Sequence, residues 1–316
     1  MCESGSFYRK LADRIENGET VEVFTDEKKS YIKQFVTIDT SVNESCIQWF
    51  SCRPRAVICG GGHISLALCR ILKMLDFWIT IIDDREEFAD INRFNEADEV
   101  ICDSFEGLFE SRNFGPNVYF VIVTRGHGFD YTCLKQILRT DCKYIGMIGS
   151  KNKIKVTMQK LEELDGMEKA LLDSVKAPIG LDIGGKTPEE IAVSIAAEII
   201  QVKRSEHKKI YYLEQSLIDQ LKSGKEGILI SIVGKQGSSP GKAGCHMFVD
   251  AQGNAHGTIG GGNLEHQAIM EGWKCLRNKQ TKLIEYDLSN NAAANLGMVC
   301  GGKVKVLFEM IEKAGE

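Results

Sequence analysis

Residues 55–84 read RAVICGGGHISLALCRILKMLDFWITIIDD, and this stretch decides the fold of a large part of the chain. Ala56 to Cys59 is a short apolar run that ends in Gly60, Gly61 and Gly62. Behind the glycines, Ile64, Ala67, Leu68, Ile71, Leu72 and Leu75 recur at the spacing of one helical face. Trp78 to Ile82 is a second apolar run, closed by Asp83 and Asp84. Strand, glycine turn, helix, strand and carboxylate in that order open a Rossmann-type nucleotide-binding domain. Gly60 allows the tight turn, and Gly62 lets the backbone approach a pyrophosphate. The first free amides of the helix, from His63 onward, then face its charge. Ser65 stands at the third small position, where Gly or Ala is usual, and Asp83 stands where a carboxylate meets a ribose diol. Plain structural glycines, or a pocket for another anion, suit the same residues.

Downstream, Glu99–Cys102, Val118–Val123 and Tyr144–Ile148 read as further strands. Val118–Val123 is apolar without alternation, as expected of a parallel strand covered on both faces. It runs into Thr124-Arg125-Gly126-His127-Gly128 at the carboxyl edge of the sheet, where open α/β sheets bind ligands. Arg125 is suited to a phosphate and His127 to proton transfer. Tyr131–Leu138 is predicted as the next helix, with Asp130 as its cap. Gly149-Ser150-Lys151 follows the fifth strand on the same edge, where Lys151 or Lys153 can neutralise an anion. Helix caps and a solvated basic turn are the bland alternatives. Thr187-Pro188-Glu189-Glu190 is a capping-box helix start. Ile191–Ile200 behind it is apolar on nearly all sides, which suggests burial or a contact between protomers.

The expected division is a structural arm over 1–50, the Rossmann-like domain over 51–205 and a smaller domain over 206–316. The arm is predicted to hold a helix at Phe7–Ile15 and strands at Val21–Val23 and Ile32–Ile38. The last domain is predicted to begin with a helix at Tyr211–Leu221. Strands follow at Ile228–Val233, Met247–Asp250, Leu283–Tyr286 and Val304–Phe308, a mostly antiparallel α+β pattern. Three glycine-rich segments interrupt it. Gly237–Gly244 carries Ser238, Ser239 and Lys242, which offer hydroxyls and charge. Gly260, Gly261 and Gly262 precede Asn263 and Glu265 in a helix-like run, again offering amides to an anion. Cys300 stands before Gly301 and Gly302, which leave its sulfur uncrowded and able to ligate a metal or attack. Cys245, beside the Gly241–Gly244 turn, is the runner-up thiol.

Composition narrows the classes. Hydrophobic residues are 43% and charged residues 26%, a globular balance, and the net charge of -5 gives no footprint for nucleic acid. No apolar run is long enough to cross a bilayer, and Met1–Lys10 lacks the pattern of an export signal, so a cytoplasmic location is expected. The 11 cysteines include no Cys-x-x-Cys pair, and Cys59, Cys69, Cys102 and Cys133 read as small apolar fillers in a reducing compartment.

Several of these segments are shared with one family. ICGGGHISLALCRIL, ITIIDDREEFAD, VTRGHGFD, YIGMIGSKNK and PIGLDIGGKTPEEIAVSIAAEII lie in the first large domain. GSSPGKAGCHM, GTIGGGNLEHQAI and LGMVCGGKVKVLFE lie in the second. Through them the chain resembles the XdhC/CoxI family of xanthine dehydrogenase accessory proteins. The resemblance implies an α/β Rossmann-like parallel-sheet domain followed by a smaller α+β XdhC/CoxI-type domain, the reverse of the family's usual order. It further implies a chaperone that binds the molybdenum cofactor (molybdopterin), supports its sulfuration and passes it to an apo xanthine dehydrogenase-type hydroxylase. A cysteine desulfurase is the implied sulfur donor, and a homodimer the implied assembly. Where the family often has two adjacent cysteines, this chain has Val299 and Cys300. The rival readings are an NAD(P)-dependent oxidoreductase with His63 or His127 as base, and a ligand-free structural assembly factor.

Overall fold

A computed structural model describes residues 4–25, 30–32, 46–112, 114–205, 210–237, 245–288 and 302–313. The chain divides into two compact units, one of residues 53–207 and one of residues 1–52 together with 208–316. Both ends of the chain therefore build one unit, and the other is inserted between them.

The first segment begins with helix α1 (Ser4–Glu16), which buries Tyr8, Leu11, Ala12 and Ile15 at helical spacing. Strand β1 (Val21–Thr25) pairs antiparallel with β2 (Ser30–Ile32) and β3 (Cys46–Cys52). Most of the strand expected at Ile32–Ile38 lies outside the described residues.

The inserted unit runs β4 (Arg55–Cys59), α2 (His63–Met74), β5 (Trp78–Asp83), β6 (Glu99–Cys102), α3 (Leu108–Ser111) and β7 (Val118–Ile122). It continues through α4 (His127–Ile137), β8 (Tyr144–Met147), α5 (Lys151–Asp165), α6 (Lys169–Asp173) and α7 (Pro188–Ser205). Its five strands are all parallel, in the order β6-β5-β4-β7-β8. Along β4, Val57 and Cys59 pack with α4 and α5, while Ala56 and Ile58 pack with α2 and α7. Covering both faces removes the alternation a half-buried strand would show, which is why these strands read as continuous apolar runs. Each Ile or Leu buried this way contributes about 1.5–3 kcal/mol over exposure. Cys59, Cys69 and Cys133 are indeed core fillers. Cys102 is not: it ends the edge strand β6 and is exposed.

The chain then returns to the first unit. Strand β9 (Ile210–Leu213) and helix α8 (Gln215–Ser223) replace the single helix expected at Tyr211–Leu221. Ile210 to Leu213 is taken into the four-stranded sheet by parallel pairing with β3, so the helix starts only after Glu214. Strands β10 (Gly227–Gly237), β11 (His246–Asp250) and β12 (Ala255–Thr258) follow, then helix α9 (Gly262–Asn278), β13 (Lys282–Asp287) and β14 (Gly302–Ile311). The five strands form an antiparallel sheet in the order β12-β11-β10-β14-β13. Ile228, Ile230 and Ile232 of β10 pack with α9, and Leu229 between them packs with α1 and α8. Period-two alternation thus sorts one strand between two cores. No described helix is long and apolar enough to cross a membrane.

Candidate functional site

The carboxyl edge of the parallel sheet carries the expected site residues of the Rossmann-like domain. Gly60 leaves β4 at φ +109°, and a Cβ there would lie 2.5 Å from the Val123 carbonyl oxygen. Glycine at this position is therefore what lets the turn lie against the end of β7. Gly61 is held by its amide, which donates to Asp83 Oδ2 at 2.7 Å. Gly62 differs from both: nothing lies within 4 Å of where its Cβ would be. The open side of the turn is at Gly62, where a ligand can approach. Ser65 is fully buried and its hydroxyl donates to the Gly60 carbonyl, so the third small position fastens the turn.

Asp83 is placed differently from the expectation of a ribose ligand. It is 2% exposed, and besides Gly61 it receives Arg85 Nε at 2.9 Å and Nη2 at 3.1 Å. Burial pushes its carboxyl up, but the Arg85 and Gly61 hydrogen bonds outweigh that and hold it below the ordinary carboxylate value. The outward position falls to Asp84, which meets Arg125 Nη2 at 3.0 Å. Arg125 is 48% exposed, and its guanidinium carbon lies 5.2 Å from the centre of the Phe129 ring.

Asp130 does not cap α4, because the helix begins one turn earlier, at His127. It is fully buried in the first turn, receiving Thr124 Oγ1 at 2.5 Å and an ion pair from Lys153. Lys153 is thereby committed, whereas Lys151 is exposed at the start of α5.

Four helix starts can be compared at this edge. Ser150 caps α5 by accepting from the Lys153 amide. At α7 the predicted capping box forms: the Glu190 amide donates to Thr187 Oγ1 at 3.2 Å, and Glu190 Oε2 accepts from Lys186 and Thr187. The Lys186 and Thr187 amides hold the Glu190 carboxyl below its ordinary value. By contrast α2 and α4 begin at Gly62 and Gly126 with no side-chain cap. These two helices follow the adjacent strands β4 and β7 and cover opposite faces, so their starts flank the crevice where the winding reverses. Their orphan amides are the ones left for an anion.

Sequence reasoning missed Leu181–Lys186. Lys176–Ile179 runs parallel beside β8, so this glycine-containing loop emerges at the same edge, with Asp182, Ile183 and Lys186 exposed. The Gly184-Gly185 pair ahead of the capping box was the available signal.

In the other unit, Gly260, Gly261 and Gly262 all have positive φ, and the loop folds onto Glu265. Glu265 Oε2 accepts from Thr258 Oγ1 at 2.5 Å, Gly261 N at 3.0 Å and Ile259 N at 3.1 Å. The amides of Ile259 and Gly261 are thus filled by the chain's own carboxylate. Of the expected set, Gly262 and Asn263 are left at the start of α9. Ser238, Ser239, Lys242 and Cys300 lie outside the described residues. Among the described residues no group of three or more His, Cys, Asp or Glu is placed to hold a metal.

A glycine turn with an open third position, on a five-stranded parallel sheet, is joined here to an antiparallel domain with its own glycine loop. Residues 56–199 match the XdhC Rossmann domain, and residues 220–287 match the XdhC and CoxI family. Both matches fall on this one chain, the Rossmann match ahead of the XdhC and CoxI match. Among curated relatives, the uncharacterized protein YqeB of Escherichia coli K12 is 29% identical over 154 residues, covering 48% of this chain and 28% of that one. A Bacillus subtilis 168 protein, named as a probable xanthine dehydrogenase subunit, is 30% identical over 158 residues, covering 50% and 46%. The aligned region thus spans less than half the length of either relative. A solved xanthine dehydrogenase from Bacillus halodurans superposes with a TM-score of 0.51 at 24% identity, over 61% of this chain and 62% of that one, a likeness of fold.

Proposed function

We propose that this XdhC-type chain is an accessory factor in the maturation of a xanthine dehydrogenase-type molybdenum hydroxylase, with a molybdopterin cofactor as its cargo. Support comes from the two family matches on one chain and from the Bacillus subtilis relative, whose name ties it to xanthine dehydrogenase. The observation that carries the ligand assignment is the contrast among helix starts. Those of α5 and α7 are filled by the chain's own side chains, while Gly62 and Gly126 leave the crevice amides open.

The residues present fit a phosphate. Gly62 gives it room, the first amides of α2 give it donors, and Arg125 gives it charge within reach of Asp84. In this proposal the crevice holds the phosphate end of the pterin. Cys300 is proposed separately as the thiol that holds the sulfur in transit, with Ser238, Ser239 and Lys242 as donors of the second domain; all four lie outside the described residues. A cysteine desulfurase supplies the sulfur, and the apo-hydroxylase receives the finished cofactor. A nicotinamide-enzyme reading would have to take its ribose carboxylate from Asp84, because Asp83 is committed to Gly61 and Arg85.

The test is purification from a host that makes molybdopterin, followed by absorption spectroscopy and mass analysis of any extracted pterin. Wild-type protein is expected to carry pterin, and a Gly62→Asp variant, which sets a carboxylate against the anion site, to carry at least tenfold less. Wild-type protein free of pterin, together with hydroxylase activity that does not depend on it, would overturn the proposal.

A further inference from the structure

Helix α9 buries Leu264, Ala268, Gly272 and Cys275 against the antiparallel sheet. Its other side is unusual for a solvated surface. Met270 is 49% exposed and Trp273, one turn later, is 41% exposed. Beside them the β11–β12 turn and the second half of α9 enclose a groove of about 280 Å³, lined by Asp250, Gln252, Gly253, Trp273, Leu276 and Arg277.

The groove is built rather than incidental. Asp250 is buried and its carboxylate takes the amides of Gln252 at 3.0 Å and Asn254 at 2.8 Å, plus the Asn254 side chain at 2.9 Å. That fixes the turn. Gly253 has φ +91°, and any Cβ there would run into the Trp273 indole, so the ring sits against bare backbone. One wall is thus a fixed aromatic face, and Leu276 adds a second apolar surface.

Charge distinguishes the groove from an apolar patch. Lys274 and Lys282 are both taken by Glu271, at 3.0 and 2.6 Å. Asp250, the acidic residue of the lining, is buried with its carboxylate bonded into its own turn and 3.7 Å from His256 Nε2. Arg277 is exposed at the groove and has no hydrogen bond or ion pair among the described residues. A volume of about 280 Å³ is near the small end of ligand pockets and takes one large side chain. A single guanidinium without an ion-pair partner among the described residues, on a chain of net charge -5, does not suit a nucleic acid, which needs several cations along its backbone. Met, Trp and Arg are the residue types enriched where proteins bind proteins.

We propose that this groove is a docking site for an acidic segment of a partner protein, with an apolar side chain seated on Trp273 and a carboxylate paired with Arg277. The inference does not depend on the Rossmann crevice or on any pterin.

A random peptide library panned on the immobilised full-length protein reads the chemistry of the occupant directly. Enriched peptides are expected to share a large apolar residue within about three positions of Asp or Glu. Their affinity is expected to fall at least tenfold in Arg277→Glu, which leaves the indole in place, and in Trp273→Ala. Arg277→Glu changes an exposed side chain with no ion pair among the described residues, so its melting temperature should match the wild type. Peptides that bind Arg277→Glu as well as wild type, or no enrichment over a bare surface, would overturn the proposal.

Discussion

Asp83 and Gly61 are joined across the turn by a 2.7 Å hydrogen bond from the Gly61 amide to the Asp83 carboxylate. The carboxylate that ends β5 therefore shapes the glycine turn that ends β4. Arg85 closes the arrangement from the other side and lies with its guanidinium carbon 3.5 Å from the Phe88 ring centre.

Asp83→Asn is expected to destabilise the protein by about 1–3 kcal/mol, because Gly61 loses a charged acceptor and Arg85 its partner. The folded pKa of Asp83 is depressed, so its contribution is fully present above the unfolded value near ~3.9. It is lost as pH falls through the folded value. Urea denaturation of both proteins should show a constant gap at neutral pH that narrows below about pH 4. A gap independent of pH would show that the charge of Asp83 is not what stabilises the turn.

Two neighbouring glycines should respond in opposite ways. Gly60→Ala forces a side chain into φ +109° against the Val123 carbonyl and should cost about 1–3 kcal/mol from backbone strain alone. Gly62 has φ -74° and open space, so Gly62→Ala should change stability by less than about 0.5 kcal/mol. Thermal melts check the pair, and a Gly62→Ala variant that melts like Gly60→Ala contradicts the open-crevice geometry.

Glu265→Ala removes the acceptor shared by Thr258, Ile259 and Gly261. The expected cost is about 1–3 kcal/mol, with faster hydrogen exchange at the Ile259 and Gly261 amides. Unchanged protection of those two amides would mean that the glycines hold the loop without Glu265.

Cys300→Ser is expected to fold normally yet lose pterin or the ability to activate its hydroxylase. Cys245 is the alternative thiol, but it packs against the hydrophobic cluster between the antiparallel sheet and α9. If Cys245→Ser abolishes activation while Cys300→Ser does not, the assignment moves to Cys245. If neither matters, neither of these two thiols takes part.

Much of the inserted unit was legible because its physics is local. A glycine turn between a strand and a helix, and strands covered on both faces, write their patterns into consecutive residues. The capping box at Thr187–Glu190 was readable for the same reason, since both partners lie within four positions. Strand β12 was not: Ala255-His256-Gly257-Thr258 has no apolar period and is a strand only because β11 supplies its partners. Likewise Ile210–Leu213 reads as the start of a helix until β3, far back in sequence, pairs with it.

The sequence by itself determined the Rossmann-type turn, the burial of its strands and the residues able to meet an anion, because these depend on spacing and residue type. Tertiary structure alone decided which of them remain available. It turned Asp83 inward to Gly61 and Arg85, committed Lys153 to Asp130, filled the second glycine loop with Glu265 and left Gly62 open. It also joined residues 1–52 to 208–316 in one unit around the insertion. Hydrogen-bond saturation and long-range strand pairing involve partners that no local pattern specifies, so these outcomes exist only in the folded chain.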